Sequence, residues 1–338
     1  MTQSATAAAH PNLALVKYWG YSEPSLNLPA NSSISITLSG ATTITSVTFD
    51  STLDDDLFTL NDSPGTAVAS RRVSAHLDRA RQLAGSVDRA HVSSTTDFPT
   101  AVGMASSAAA FAALSLAATR ALRLDLSPRE LSILARKGSG SACRSVFGGY
   151  VEWSKGSHDS NSFARPLYPP QHWDLRVVTV AFGGRPKPVS SEEGHRAAVR
   201  SPLYTARLRE LDGTLDIVRE ALHRRDFAGL GIAVEREALS LHAIAMTSPL
   251  VEYPWVSGII YMEPETIRLI RAVQDWRAQG APVYFTLDAG PAVHLLCEPA
   301  YLHTLLEEIR ALFGLQSHQV WISSPGRGAW EVEGPLST

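Results

Sequence analysis

Between Pro99 and Leu122 the chain reads Pro-Thr-Ala-Val-Gly103-Met-Ala105-Ser106-Ser107 and then continues in alanine and leucine. Alanine and leucine are the strongest helix formers, so the run Ala108 to Leu122 is predicted to be a helix. A small-residue loop that opens a helix leaves backbone N–H groups unpaired and directs the positive end of the helix dipole outward. That combination suits a phosphate group. No Gly-Lys-Ser/Thr follows Gly103, so the loop is not of the Walker type. The competing reading of this stretch alone is a capped core helix whose small side chains allow close packing.

The remaining 338-residue context narrows the choices. That length implies one large or two medium domains. Apolar content of 44% and charged content of 19% fit a water-soluble globular chain with an ample core. The formal net charge is −3, with no strongly basic half, which argues against nucleic acid or a membrane surface as partner. Positive charge for a phosphorylated small molecule must therefore be local. Cys143 and Cys297 are too few and too distant for a disulfide framework or a metal cluster. Met1 to His10 lacks the basic start and apolar core of a secretion signal, and no apolar run approaches a membrane span. A cytoplasmic location is the expectation.

Period-two Ser33 to Leu38 and threonine- and valine-rich Thr42 to Phe49 are predicted strands. Asp50 to Pro64 is acidic and turn-rich, and is expected to be a surface hairpin or loop. Ala67 to Ala84 has helical spacing with arginines on one face. Ser127-Pro-Arg-Glu130 opens a further helix to Lys137 with a good N-cap and first turn. Tyr150 to Trp153 and Leu175 to Phe182 are expected strands. After a break at Gly183-Gly-Arg185-Pro-Lys187-Pro188, helices are predicted over 201–223, 227–242, 264–278 and 300–313. Strands are predicted over 283–287, 293–297, 320–322 and at Trp330-Glu-Val-Glu. Helices and strands mix without regular βαβ alternation, which implies an α+β fold in two lobes. The division falls at residues 1–183 and 184–338.

Four clusters carry chemistry. In Asn12-Leu-Ala-Leu-Val-Lys17-Tyr18-Trp19-Gly20, a lysine at a strand end beside aromatic walls can hold an anion. The loop at Gly103 to Ser107 is the second cluster. In Gly138-Ser139-Gly140-Ser141-Ala-Cys-Arg144-Ser145, glycine permits close backbone approach, serines donate, and Arg144 offers a planar fork for carboxylate or phosphate. In Asp288-Ala-Gly-Pro291, a carboxylate sits on a tight turn after a strand. Each alone reads as easily as an ordinary solvated or turn residue. Together, a phosphate loop, a lysine, an arginine and an aspartate are the parts of a phosphoryl-transfer site.

At these residues the chain resembles the mevalonate diphosphate decarboxylase family. That family lies within the superfamily of galactokinase, homoserine kinase, mevalonate kinase and phosphomevalonate kinase. The resemblance rests on Val-Lys17-Tyr-Trp-Gly20, Leu28-Pro-Ala-Asn31-Ser-Ser33-Ile-Ser35-Ile-Thr-Leu38, Phe98-Pro-Thr-Ala-Val-Gly103-Met-Ala-Ser-Ser107, Ser139-Gly-Ser-Ala-Cys-Arg144-Ser and Asp288-Ala-Gly-Pro291. It implies a ribosomal-protein-S5-like N-terminal lobe, a ferredoxin-like C-terminal lobe, an active site in the cleft between them, and a homodimer. The implied reaction is ATP- and Mg2+-dependent decarboxylation of a phosphorylated mevalonate in isoprenoid biosynthesis. By resemblance, Asp288 orients or deprotonates the 3-hydroxyl and Arg144 holds the substrate carboxylate. Lys17 and Asn12 face the reacting end. Tyr18, Trp19, Ser139, Gly140, Ser141, Ser190, Ser191, Arg185 and Lys187 bind substrate. Ser94, Pro99, Gly103, Met104, Ala105, Ser106 and Ser107 contact ATP, with Ser106 and Ser107 also toward Mg2+.

The chain departs from the family pattern in three places. Tyr21 stands where a second lysine is usual, Glu192 and Glu193 follow Ser190-Ser191 where arginine is usual, and Ala292 replaces an asparagine. The first two departures remove cations expected at the outer phosphate of a diphosphate. Charge-assisted hydrogen bonds contribute about 1.5–3 kcal/mol each. Losing two costs about two to four powers of ten in binding. The expected substrate is therefore mevalonate 5-phosphate, giving isopentenyl phosphate, with the 5-diphosphate as the alternative. Arg185, Lys187, His195 and Arg196 lie where they could restore positive charge. The rival readings are a small-molecule kinase that stops at the phosphorylated alcohol and a catalytically silent ligand sensor.

Overall fold

The structure, a computed structural model, describes residues 3–98, 106–182, 189–252, 255–314 and 319–333. Its strands are β1 (Gln3–Ala9), β2 (Asn12–Val16), β3 (Tyr21–Glu23), β4 (Leu28–Pro29), β5 (Ser33–Thr37), β6 (Thr43–Asp50), β7 (Leu57–Leu60), β8 (Ser63–Pro64), β9 (Arg89–Thr96), β10 (Tyr150–Trp153), β11 (Ala164–Tyr168), β12 (Arg176–Val180), β13 (Val283–Leu287), β14 (Val293–Cys297), β15 (Val320–Ser323) and β16 (Trp330–Val332). The helices are α1 (Ala67–Ala84), α2 (Ser106–Ala121), α3 (Pro128–Gly138), α4 (Ala142–Ser145), α5 (Ser191–Ala197), α6 (Tyr204–Arg224), α7 (Phe227–Met246), α8 (Pro264–Ala278) and α9 (Leu302–Phe313). The class is α+β, as the sequence implied.

Three larger sheets organise these elements, in the orders β16-β1-β6-β9-β7-β8, β11-β10-β5-β2 and β13-β14-β12-β15. The alanine run explains the first layer. Ala7 and Ala9 of β1 share one buried cluster with Ala112, Ala113, Ala117 and Ala118 of α2. Methyl-sized side chains on both surfaces let the helix lie close across the sheet, which larger residues would prevent. The helix begins at Ser106, two residues ahead of the predicted start, so both serines stand in its first turn.

The sequence reading left β1 and β9 unassigned. Alanine-rich β1 has weak intrinsic strand preference, but it pairs with β6 along its whole length and with β16 on its other edge. Tertiary pairing overrides propensity there. The acidic stretch from 50 to 64 carries the expected hairpin, β7 with β8, and β7 also adds to β9 in parallel. Helices α6 and α7 sit between the second and third sheets. Leu211, Leu215 and Val218 of α6 and Leu230 and Val234 of α7 pack on Leu13, Leu15 and Ile34 of the second sheet. The third sheet buries Val178, Phe285 and Leu295 against Leu269 and Val273 of α8 and Leu305 and Ile309 of α9.

Candidate active site

Four chain segments end at one cleft of about 1020 Å3. Strand β2 delivers Lys17 and Tyr18, the end of β13 delivers Asp288, the α3–α4 junction delivers Ser139 to Arg144, and the first turn of α2 delivers Ser106 and Ser107. The turn after β2 is held by Asn31, whose amide donates to Lys17 O at 2.9 Å and whose carbonyl accepts from Trp19 N–H at 3.3 Å. Gly20 closes that turn with φ +94°, and an added Cβ would lie 2.0 Å from Tyr204 Oη. Only glycine serves there.

Lys17 Nζ forms an ion pair with Asp288 Oδ1 at 2.7 Å. The lysine is 2% exposed and the carboxylate 24%, so the aspartate presents itself to the cleft while its partner lies behind it. Lys17 Nζ also donates to Ala14 O at 2.6 Å. The lysine backbone is gripped from the rear by a buried ion pair. Its N–H donates to Glu237 Oε1 at 2.9 Å, and its C=O accepts from Arg207 Nη2 at 3.1 Å. Glu237 and Arg207 are bonded to one another and both side chains are 2% exposed. Burial raises the Glu237 pKa, and Arg207 opposes that rise. Beneath Asp288 lies His242, whose pKa burial lowers to about 4. None of Glu237, Arg207 and His242 was singled out from sequence. Their signal would have been charged and imidazole side chains set within the apolar stretches of α6 and α7.

Arg144 is buried in the lining of the same cleft. Its Nε and Nη2 donate to Asn12 Oδ1 at 3.2 and 3.0 Å, and its Nη1 donates to Ser33 Oγ at 2.7 Å. Asn12 is itself oriented by donating to Ser145 Oγ at 2.8 Å and Ser141 O at 3.0 Å. Three of the five guanidinium N–H groups are thereby engaged, leaving two for a ligand. The guanidinium carbon lies 5.9 Å from the Tyr18 ring centre and 5.8 Å from that of Trp153. Burial lowers its pKa, and Cys143, Tyr18 and Asp288 act against that. Gly140 touches Tyr18, and a Cβ there would meet Tyr18 Oη at 2.6 Å.

At the first turn of α2, Ser107 Oγ lies 3.2 Å from Ser139 Oγ, so two hydroxyls and a helix N-terminus face the cleft together. This arrangement fits polyphosphate oxygens. Among the described residues no cluster of three or more His, Cys, Asp or Glu side chains could hold a metal by itself. A divalent ion would therefore depend on phosphate oxygens, with serine hydroxyls as protein donors. Arg72, Arg79 and Lys137 also line the cleft and were not assigned from sequence. Arg72 and Arg79 are seven residues apart on α1, a spacing that places them on one helix face. Ser94 does not line the cleft: it is buried in β9 with its hydroxyl 2.8 Å from Thr45 Oγ1. Pro99, Gly103, Met104 and Ala105, with Arg185 and Lys187, lie outside the described residues.

The remaining wall is built by Trp19, Tyr21 and the start of α5. Ser190 and Glu193 cap that helix reciprocally, with Ser190 N–H donating to Glu193 Oε2 at 2.8 Å and Glu193 N–H donating to Ser190 Oγ at 3.2 Å. Ser191 and Glu192 follow along the cleft, and Glu192 pairs with Arg196 at 2.9 Å. Of the two described residues that could restore positive charge, Arg196 points to solvent and His195 is uncharged. Arg196 is 60% exposed and engaged with Glu192. His195 is buried, and burial lowers its pKa to about 3, so it is uncharged at neutral pH. Burial, with Glu192 nearby, raises Tyr21 to about 12, so it too is neutral.

Comparison with known proteins accords with this geometry. Residues 9–164 match the diphosphomevalonate decarboxylase-like N-terminal domain, and residues 177–328 match the mevalonate 5-diphosphate decarboxylase C-terminal domain. The chain is 33% identical over 292 residues to phosphomevalonate decarboxylase of Haloferax volcanii, covering 86% of this chain and 87% of that one. It superposes on mevalonate diphosphate decarboxylase from Staphylococcus aureus with a TM-score of 0.92 at 36% identity, covering 98% and 99% of the two chains. A second solved structure, MDDEF in complex with MVAPP, AMPPCP and magnesium, gives a TM-score of 0.92 at 37% identity over 99% and 100%. The chain belongs to the diphosphomevalonate decarboxylase-like family.

Proposed function

We propose that the protein is an ATP-dependent decarboxylase that converts mevalonate 5-phosphate to isopentenyl phosphate, CO2, ADP and phosphate. The observation that carries this reading is the cleft itself. Lys17–Asp288, Arg144–Asn12 and the Ser106–Ser107 helix start converge on it, while Tyr21 and His195 on the wall at α5 are uncharged and Glu192 and Glu193 beside them bring no cation. Tertiary alcohols lose hydroxide poorly, and phosphorylation turns that oxygen into a good leaving group. MgATP supplies the phosphoryl group when bound, with Ser106, Ser107, Arg72 and Arg79 the residues placed to hold its phosphates.

The remaining work belongs to the chain. Asp288, with Lys17 fixed behind it, accepts the 3-hydroxyl hydrogen bond and orients that oxygen for transfer. Arg144 takes the substrate carboxylate on its two remaining N–H groups, held in place by Asn12 and Ser33. When the 3-phosphate departs with the C3–O electrons, the C1–C2 bonding pair forms the C2=C3 double bond and CO2 leaves. Ser139, Gly140 and Ser141 form the floor beneath the substrate, and Tyr18 and Trp19 its aromatic side. The lobes divide between β11 and β12, ahead of residue 183, because β12 pairs with β14 and β15 in the third sheet, while β16 returns to β1 in the first. The enzyme works in the cytoplasm as a homodimer.

The 5-diphosphate is the second reading. Arg72 favours it, because its charge is felt at both Tyr18 and Tyr21 and supplies a cation toward that wall. Catalytic efficiency of the purified protein with MgATP on each substrate decides between them. The expected result is higher kcat/KM for mevalonate 5-phosphate, with one CO2 released per ADP. A preference for the diphosphate overturns the substrate assignment. ADP without CO2 overturns the decarboxylase reading in favour of a kinase.

A further inference from the structure

We propose that His195 is a neutral hydrogen-bond donor that binds the substrate phosphate through Nε2–H. The proposal rests on the phosphorylated-mevalonate reading above and names a residue that discriminates within it.

The geometry fixes the tautomer. Gly20 N–H donates to His195 Nδ1 at 3.0 Å, so Nδ1 is an acceptor and carries no proton. A neutral imidazole with an accepting Nδ1 bears its hydrogen on Nε2. The donation depends on the turn at Gly20, whose positive φ aims that N–H at the ring. The ring is clamped on its faces. It stacks on Tyr18 at 4.3 Å and 24°, and lies 4.3 Å from the Trp19 ring and 5.0 Å from that of Tyr21. An imidazole held this way cannot turn Nε2 aside.

His195 lines the cleft, and among the described residues Nε2 makes no hydrogen bond, so it is the ring nitrogen left to meet a ligand there. Ser190, Ser191 and Tyr21 line the same cleft, as does Asp288. Burial and the charges of Arg207 and Arg144 keep the ring uncharged. A neutral donor adds one directional bond to a phosphate oxygen without adding charge. It serves a single phosphate and offers nothing extra to a second.

Two measurements test this. In protein labelled with 15N-histidine, long-range proton–nitrogen correlation spectra, assigned with H195Q, are expected to give the Nε2–H tautomer for His195 at pH 7. Its Nε2 resonance is expected to shift when mevalonate 5-phosphate is added and to stay in place with unphosphorylated mevalonate. In kinetics, H195M keeps the bulk and loses the donor. It is expected to raise KM for mevalonate 5-phosphate about 10- to 100-fold with kcat little changed, because one hydrogen bond to a charged group is lost. H195Q carries an amide N–H at the Nε2 position and is expected to recover most of that loss.

An Nδ1–H tautomer, an imidazolium at pH 7, or a resonance unmoved by saturating mevalonate 5-phosphate overturns the proposal. So does a folded H195M with unchanged KM, or one that loses kcat alone. Should H195M fail to fold, the spectra of the wild-type protein still decide. Wild-type protein that releases CO2 only from the diphosphate defeats the monophosphate reading, and the shift with that ligand then decides the donor separately.

Discussion

Lys17 and Asp288 stand 271 positions apart in the chain and 2.7 Å apart in space. Such a pair matters because the partly exposed member keeps its carboxylate oxygens available to a ligand while the buried one fixes their direction. Replacing Asp288 by asparagine preserves size and removes the charge and the acceptor pair. D288N is expected to fold and bind mevalonate 5-phosphate while CO2 release falls by about 10^2- to 10^4-fold, read in single-turnover assays. Turnover within a few-fold of wild type removes Asp288 from the reaction. Arg144 invites a second residue-scale test. Lysine cannot reproduce the planar fork that Asn12 and Ser33 orient, so R144K is expected to raise KM for the substrate at least tenfold. An unchanged KM in R144K separates this arginine from the carboxylate.

At the scale of elements, β2 is registered by β5 on one side and gripped by α6 and α7 from behind. The grip is the buried Arg207–Glu237 pair, which brackets the peptide groups of Lys17. Removing one member of a buried pair leaves an uncompensated charge and costs about 3–5 kcal/mol. R207M is therefore expected to lose about that much stability in denaturant titrations. R207M/E237Q is expected to regain part of it, since both charges are then gone. Activity is not expected to return with stability, because Lys17 C=O has lost the Arg207 donor and the E237Q amide keeps only an uncharged acceptor for Lys17 N–H. A double variant with full activity shows that the pair serves folding alone. Helix α5 illustrates the same scale in another way: its capping box fixes the direction of Glu193 and lowers its pKa, so the carboxylate on the cleft wall stays ionised.

Over the whole molecule, three buried histidines link stability to pH. Burial lowers His76 and His195 to about 3 and His242 to about 4. In the unfolded chain the same groups titrate near about 6.5. Folded-state values are depressed, so below about pH 6.5 the unfolded state takes up protons that the folded state refuses. Stability is fully present above about pH 6.5 and declines as pH falls toward 4. Each histidine contributes a slope of about 1.4 kcal/mol per pH unit. Thermal unfolding between pH 7 and 5 is expected to give a falling Tm, and H76Q to flatten part of that fall. A Tm independent of pH across this window contradicts the burial assigned to these rings.

Much of the element list was legible in sequence. The runs at 67–84, 264–278, 283–287 and 293–297 coincide with α1, α8, β13 and β14, because their periodicity and end signals are local properties. Strand-end placement picked out Lys17 and Asp288 as candidates, and a glycine–serine turn after a helix picked out Ser139 to Arg144; the fold brings them to one cleft. What escaped was what depends on neighbours distant in the chain. Alanine-rich β1 becomes a strand only because β6 and β16 pair with it. The pKa of His195 falls to about 3 through burial, with Tyr18, Trp19 and Tyr21 around the ring, and through the charges of Arg207 and Arg144. Arg72 and Arg79 join the cleft only because α1 is turned toward it, and Glu237 meets Lys17 across 220 positions. Periodicity and capping are short-range and are written in consecutive residues. Desolvation, ion pairing and strand exchange depend on which surfaces meet, and only the folded chain decides that.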